Sequence, residues 1–196
     1  KQEDVQRVSA TNIMLTDRGP LFLSDTAMLI NPTAEELVEI AHLTYKMMKL
    51  FGVEPNIAML SYSNFSASKI DSVKKVQQAV KILHERFPHI SIDGGLQADF
   101  ALNEVLRSSK FPFTKIEGKK VNGLIFPNLE SANISYKLIK ELNKTESVGP
   151  IIMGLKKPVH LIQLRASVDE IVNIVSVAVV DAQEKEKLAK SKANKK

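Results

Sequence analysis

The 196-residue chain contains no cysteine and no tryptophan, and only 6% of it is aromatic. Without thiols there are no disulfides, no thiolate nucleophile and no zinc-finger spacing. That composition suits a reducing compartment, so the chain is read as cytoplasmic. No run of about 18 apolar residues is present, so no membrane-spanning helix is expected. The start at Lys1 lacks a basic segment followed by an apolar stretch and a small-residue cleavage site, so no signal peptide is expected. Glycine-based phosphate loops are missing as well. Neither Gly-x-Gly-x-x-Gly after a strand nor the Walker lysine loop occurs, and there is no Gly-x-Ser-x-Gly elbow. His42, His84, His89 and His160 share no short ligand spacing, which speaks against a metal site. His42 and His84 fall in helical patterns and read as structural, whereas His160 follows Pro158 and keeps a ligand-contact reading.

What is present is ordinary for a globular protein: 44% apolar and 25% charged residues, in a length that fits one large domain or two small ones. The formal charge of +5 is local. Six lysines and two glutamates between Glu184 and Lys196 hold +4 of it. Nucleic-acid binders carry basic charge on the folded face that meets phosphate, so no nucleic-acid partner is expected. The folded part is taken as residues 1–183, and 184–196 as a basic tail that frays into solvent.

Along the chain, residues 1–8 are polar and expected to be loose. Asn12–Leu15 and Leu21–Ser24 read as strands around Gly19-Pro20. Thr33 and Glu36 form a capping-box pattern ahead of Leu37, Ile40, Ala41, Met47 and Met48, and Gly52 closes that helix. Ile57–Leu60 reads as a buried strand. A helix follows over about 71–87, with Val73, Val76, Val80 and Leu83 on one face. Ile90–Ile92 reads as a strand ending at Asp93, with a short helix near 99–106. Val121–Phe126 reads as a strand, and 132–142 as a helix with Ile134, Leu138 and Leu142 inward. Two short apolar pieces, 149–154 and 159–162, precede a last helix from about Ser167 whose inward face is Ile171, Ile174, Val175, Ala178 and Val179. Strands and helices that alternate, with continuously apolar strands, predict an α/β fold: a three-layer α/β/α arrangement with a mostly parallel sheet.

In such sheets ligands bind beyond the carboxyl ends of the strands. Three polar segments sit there: Ser61 to Ser68, Asp93 to Gln97, and Pro127 to Asn133. Hydroxyls and free backbone amides beside a helix start hold phosphate or carboxylate oxygens. The same serines equally cap helices and turns. Lys156, Lys157 and Arg165 add positive charge downstream.

Several blocks in order carry a resemblance: Asn31-Pro32, Phe51 to Pro55, Ala58 to Ser63, Ile92-Asp93-Gly94 with Leu96-Gln97, Phe126 to Leu129 with Ala132-Asn133 and Tyr136-Lys137, and Val148 to Pro150 with Gly154 and Lys157-Pro158. Over about residues 8–183 the chain resembles the phosphate acetyltransferase/butyryltransferase family. Gly149 to Gly154 through Leu161, and Ile171 to Gln183, are most similar to the C-terminal phosphotransacetylase-like domain of bacterial NADP-dependent malic enzymes. The resemblance implies the second lobe of a phosphotransacetylase-like, isocitrate dehydrogenase-like fold. It also implies acetyl-CoA as effector, a homodimer through this lobe, and a higher oligomer in the parent. NADP and Mg or Mn would bind in a malic domain outside this chain. The ligand-binding candidates are Ser61, Tyr62, Ser63, Asn64, Ser66, Ser68, Asn133, Lys157 and Arg165.

One block departs from the family. Active members follow their Lys-Pro with Ser-Arg-Gly and, further on, an aspartate. An ungapped count from Lys157-Pro158 places Gln163, Leu164, Arg165 and Glu170 at those four positions. Leucine cannot offset negative charge developing on a transferring acyl or phosphoryl group, where one such contact is worth about 2.7–4 kcal/mol. The resemblance therefore implies a sensing domain without catalytic residues. The alternative is an active phosphate acetyltransferase.

Overall fold

In a computed structural model, which describes residues 1–2, 5–65 and 69–193, the chain forms one six-stranded sheet with helices on both faces. The strands are β1 (Ser9–Thr16), β2 (Gly19–Ser24), β3 (Ile57–Leu60), β4 (Ile92–Leu96), β5 (Gly123–Ile125) and β6 (Ser147–Met153). The helices are α1 (Ala34–Leu50), α2 (Asp71–Arg86), α3 (Ala98–Leu102), α4 (Glu104–Lys110), α5 (Leu129–Asn143) and α6 (Val168–Ala193). The strand order is β4-β3-β5-β2-β1-β6. β2, β3, β4 and β5 pair in parallel. β1 runs antiparallel to both β2 and β6, which leaves β6 pointing with the other four.

The three layers follow from alternation within each strand. Ile57 and Met59 of β3 face one core with Leu37, Ile40 and Met48 of α1 and Val76, Val80 and Leu83 of α2. Ala58 and Leu60 face the other, with Ala101 of α3 and Ala132 and Tyr136 of α5. The capping box expected at Thr33 and Glu36 is formed, with both reciprocal hydrogen bonds in place.

Several elements differ from the sequence reading. β4 continues through Asp93-Gly94-Gly95 to Leu96, where a loop was expected, because these residues pair alongside β3. Asn103 breaks the 99–106 helix into α3 and α4, and its side chain accepts the Leu106 N–H at 2.9 Å. Residues 159–162 form no strand. The described residues of the N-terminal segment are tied down: Val5 is buried, the Gln6 and Arg7 N–H groups donate to the Glu39 carboxylate at 2.6 and 2.7 Å, and Gln2 N–H donates to Gly154 O. α6 runs to Ala193, through much of the stretch read as a tail, with Lys185–Asp181 and Lys190–Glu186 paired one turn apart.

The two late helices also turn differently from expectation. On α5 it is Ala132, Tyr136 and Ile139 that meet the sheet, while Ile134, Leu138 and Leu142 face outward. On α6 Val177 is buried and Ile174 packs beside it, while Ile171, Val175 and Val179 are exposed. Both helices carry apolar residues on more than one face, so periodicity alone does not choose which stripe the sheet takes.

α6 is pinned by a small buried polar cluster. The Ile152 N–H of β6 donates to His160 Nδ1 at 3.2 Å, which leaves the ring proton on Nε2. Nε2 is buried without a hydrogen bond, 3.8 Å from Asp181 Oδ2 on α6, and Lys185 Nζ donates to that same oxygen at 2.6 Å. His160 is thus packed inward, not presented to a ligand. Burial holds its pKa below the ordinary imidazole value of 6.5, with Lys185 adding to the effect and Asp181 opposing it. A folded value below the unfolded one means the stabilisation is complete above about pH 6.5 and is lost as pH falls through the folded value. Urea unfolding from about pH 7.5 to 5.5 should show the wild-type midpoint falling more steeply than that of His160→Gln. Parallel curves would remove His160 from this account.

Candidate functional site

Because five strands share one direction, their carboxyl ends open on one edge of the molecule, where open α/β sheets hold ligands. The segments after β3, β4, β5, β2 and β6 all emerge there.

Beyond β3 and β4 the polar side chains brace one another. Ser61 N–H donates to Leu96 O at 2.8 Å and Phe65 N–H to Gly95 O at 2.9 Å. Asn64 and Gln97 are joined twice: Asn64 Nδ2 donates to Gln97 Oε1 at 2.6 Å, and Gln97 N–H donates to Asn64 Oδ1 at 2.8 Å. Gln97 Nε2 also donates to Tyr62 O at 2.8 Å, and Ser63 N–H to Ser61 Oγ at 3.3 Å. Ser61, Tyr62, Ser63 and Asn64 therefore form one shaped loop. Ser66 and Ser68 lie outside the described residues. The loop sits this close only because position 95 is glycine. A Cβ there would lie 2.8 Å from Ser61 Cβ.

Asp93 is committed to structure. Its Oδ2 accepts Thr114 Oγ1–H and Lys115 N–H, both at 2.8 Å, tying down the 111–118 loop. Arg107, fully buried, donates to the carbonyls of Phe100, Ala101, Ile116 and Lys119 and holds the rest of that loop.

In the middle of the edge, beyond β2 and β5, Asp25 gathers four backbone N–H groups. Those of Ala10, Ala27 and Met28 reach Oδ1 and that of Leu29 reaches Oδ2, at 3.0–3.1 Å. Burial raises its carboxyl above the usual range and the four donors act against that rise. Asn133, in the first turns of α5, donates from Nδ2 to Thr26 O at 3.2 Å. Lys75 of α2 reaches across from the β3 side, with Nζ donating to Asn31 Oδ1 at 2.7 Å and to Pro127 O at 2.9 Å. It joins the segments after β2 and β5. Lys75 was not singled out from sequence because it sits among the helical lysines Lys74 and Lys81, a pattern that reads as a solvated face.

Lys157 and Arg165 emerge after β6, and both are exposed. β6 is four places from β3 in the sheet. At about 4.8 Å per place, that is roughly 19 Å from the serine loop. Within one chain Lys157 thus stands apart from the serine loop along the same edge, whereas Arg165, two residues before Ser167, lies toward the amino end of β6, where Ser167 and Glu170 border Glu146 and Ser147. Gln163 to Ala166 form a turn, with Ala166 N–H donating to Gln163 O at 3.0 Å, and Leu164 projects fully into solvent. Glu170 is occupied twice. Its Oε2 accepts Ser167 N–H at 2.9 Å while Ser167 Oγ accepts Glu170 N–H at 3.2 Å, a capping box on α6. Its Oε1 pairs with Lys140 Nζ at 2.7 Å. Lys140 foremost, then the Ser167 N–H, hold its carboxyl below the usual range.

Residues 1–179 match the phosphate acetyl/butaryl transferase family. The chain is 40% identical over 183 residues to the NADP-dependent malic enzyme of Escherichia coli, a match covering 93% of this chain and 24% of that protein. It is 39% identical over 168 residues to the phosphate acetyltransferase of Clostridium acetobutylicum, covering 85% of this chain and 50% of that one. Its fold overlays a crystal structure of a phosphotransacetylase from Streptococcus pyogenes with a TM-score of 0.87 at 33% identity, over 93% of this chain and 56% of the other. This chain thus spans about a quarter of that malic enzyme and about half of each of these two phosphotransacetylases.

Gly95→Ala tests the bracing of the serine loop. Its methyl must displace Ser61 or Val76, so the expected cost is about 1–3 kcal/mol in urea unfolding. The Asn64 and Gln97 side-chain amide resonances should shift with it. Unchanged stability and resonances would contradict the close approach.

Proposed function

Because this chain belongs to the phosphate acetyl/butaryl transferase family, we propose that it is the acetyl-CoA-sensing and oligomerising domain of a cytoplasmic NADP-dependent malic enzyme. The parent oxidatively decarboxylates malate to pyruvate with NADP and a divalent metal bound elsewhere. Overall identity to malic enzymes and to phosphate acetyltransferases is nearly equal, so the reading rests on the segment after β6. There, Leu164 and Gln163 stand where the family resemblance calls for a cation and a hydroxyl, and Leu164 lies in open solvent. Glu170, at the aspartate position, has both carboxylate oxygens engaged and its affinity for a proton reduced. A carboxylate so held is a poor base for a thiol proton.

On this reading acetyl-CoA meets the braced Ser61–Asn64 loop and Asn133, while Lys157 serves a separate contact further along the same edge and Arg165, toward the amino end of β6, takes no part. An effector acts only through differential affinity for two states, typically about 1–3 kcal/mol. The state it selects is an assembly state. The outward stripe Ile171, Val175 and Val179 of α6, with exposed Val168 and Val172 beside it, forms an apolar face larger than scattered surface residues explain. We take its occupant to be a second copy of this chain, as the family resemblance implies.

The second reading, an active phosphate acetyltransferase, is favoured by the close fold match to phosphotransacetylases. Titration calorimetry with acetyl-CoA should show binding, and a CoA-release assay with acetyl-CoA and phosphate should show no turnover. Turnover abolished by Glu170→Ala would reverse the assignment, and no heat at millimolar acetyl-CoA would end the sensing claim. Light scattering after size exclusion should give a dimer for the wild type and a monomer for Val175→Glu. A wild-type monomer would refute the pairing.

A further inference from the structure

Lys1, Lys119 and Lys120 each donate to one neutral oxygen, whereas Lys75 donates to two. Its two partners are neutral carbonyl oxygens, the Asn31 amide and the Pro127 backbone, and among the described residues it makes no ion pair. Its neighbour Lys74 pairs with Asp71 at 3.7 Å, and Lys140 pairs with Glu170. An ammonium has three N–H groups, whereas a free amine has two and a lone pair. Two acceptors are exactly what a free amine needs. Loss of the third proton breaks neither bond and leaves the lone pair directed away from both carbonyls. Partial burial moves the Lys75 ammonium below the usual lysine range, against the field of Glu36. That carboxylate is itself engaged by the Thr33 N–H and by Arg7. Opposite-charge partners do the reverse elsewhere, and Glu170 raises Lys140.

The position is as specific as the bonding. Pro127 follows β5, Asn31 lies in the segment after β2, and Val76, next to Lys75, packs against Gly95 beside Ser61. The amine therefore stands at the centre of the carboxyl edge, between the serine loop and the first turns of α5.

We infer that Lys75 is an acyl acceptor, a lysine that takes an acetyl group onto Nζ from an acyl thioester or acyl phosphate held at this edge. The inference rests on the reading of the edge as an acyl-ligand site. The lone pair of Nζ attacks the acyl carbon and a C–N bond forms. The C–S bond of the thioester, or the C–O bond to phosphate, breaks, and the leaving thiolate or phosphate departs with the electron pair. The proton shed by nitrogen passes to that leaving group or to water. The product amide has one N–H, so one of the two carbonyls loses its donor and the joint between the segments after β2 and β5 loosens. Acylation would thus leave a lasting mark of acyl-donor supply on the element that holds the site together.

The test incubates the full chain with acetyl-CoA in one arm and acetyl phosphate in the other, and follows each lysine by peptide mass spectrometry over time and pH. Lys75 should be acetylated at least about tenfold faster than exposed Lys74 or Lys110, and its rate should level off at lower pH than theirs. Selectivity in one arm only identifies the donor class and supports the assignment. CoA, added as a competitor, should slow the acetyl phosphate arm. Hydrogen exchange around 25–31 and 127–133 should rise in the modified fraction. Lys75→Arg, which still donates to both carbonyls, provides a folded blank. Equal rates at Lys75 and Lys74 in both arms overturn the inference. If calorimetry shows acetyl-CoA bound while Lys75 stays unmodified, the acceptor role fails and the sensing reading stands. If neither binding nor modification is seen, both fail.

Discussion

A single reversed strand sets the plan of this molecule. β1 lies between β2 and β6 and runs against both, so the chain can leave β1 through a tight turn and still return, much later, with β6 aligned to the rest of the sheet. The consequence is that the segment after β6 emerges on the same edge as the segments after β2, β3, β4 and β5. It does so at the far end of that edge, beside α6. A site confined to β3 and β4 would have required no contribution from this segment. A site that uses the whole edge places Lys157 some four strand positions from the serine loop, a span suited to an extended ligand or to a neighbouring copy rather than to a compact phosphate.

Buried charge holds the loops around the sheet in shape. Asp25, Asp93 and Arg107 are buried, and each is satisfied mainly by backbone groups rather than by an opposite charge. A buried carboxylate or guanidinium that lost such partners would face a desolvation cost of several kcal/mol. Each therefore fixes the loop that supplies its partners: 25–29 for Asp25, 114–115 for Asp93, and 116–119 with the end of α3 for Arg107. Asp25 orders a loop of the carboxyl edge before any ligand arrives, while Asp93 and Arg107 hold the segment that runs back past Ser91 into the amino end of β5. Pre-ordered polar groups suit a binding site, because less freedom is lost on association.

The fold was legible in the sequence where one physical signal acted alone. Thr33 and Glu36 announced α1 because a capping box needs only local chemistry. Val73, Val76, Val80 and Leu83 announced the inward face of α2 because its other faces are polar. Legibility failed where two signals competed. Asp93-Gly94-Gly95 has the composition of a turn, yet the absence of side chains at 94 and 95 is what lets β4 lie against β3 and Ser61. At the candidate site, Ser61 to Asn64 and Asn133 were recognisable as polar residues after strands. Lys75 was not, because its role arises from two carbonyls that are 44 and 52 residues away in sequence. Likewise the sequence placed Glu170 only at the family's aspartate position, and its partner Lys140 lies on a different helix.

The outward apolar stripes of α5 and α6 bear on why the predicted inward faces were wrong. A helix that covers a sheet and is otherwise solvated carries one apolar stripe. α5 offers Ala132, Tyr136 and Ile139 to the sheet and a second set, Ile134, Leu138 and Leu142, to the outside. α6 does the same with Ile174 and Val177 inside and Ile171, Val175 and Val179 outside. The larger stripe in each helix is the outer one, so a reading that assigns the most apolar face to the chain's own core must choose the wrong side. The error is therefore informative. It marks two faces, on opposite sides of the sheet, that the fold leaves uncovered, and the α6 face follows directly on the turn carrying Gln163, Leu164 and Arg165. Any partner seated on α6 would then bear on the helix whose Asp181 and Lys185 sit behind His160, and so on the segment after β6 at the far end of the carboxyl edge, which would couple that edge to assembly.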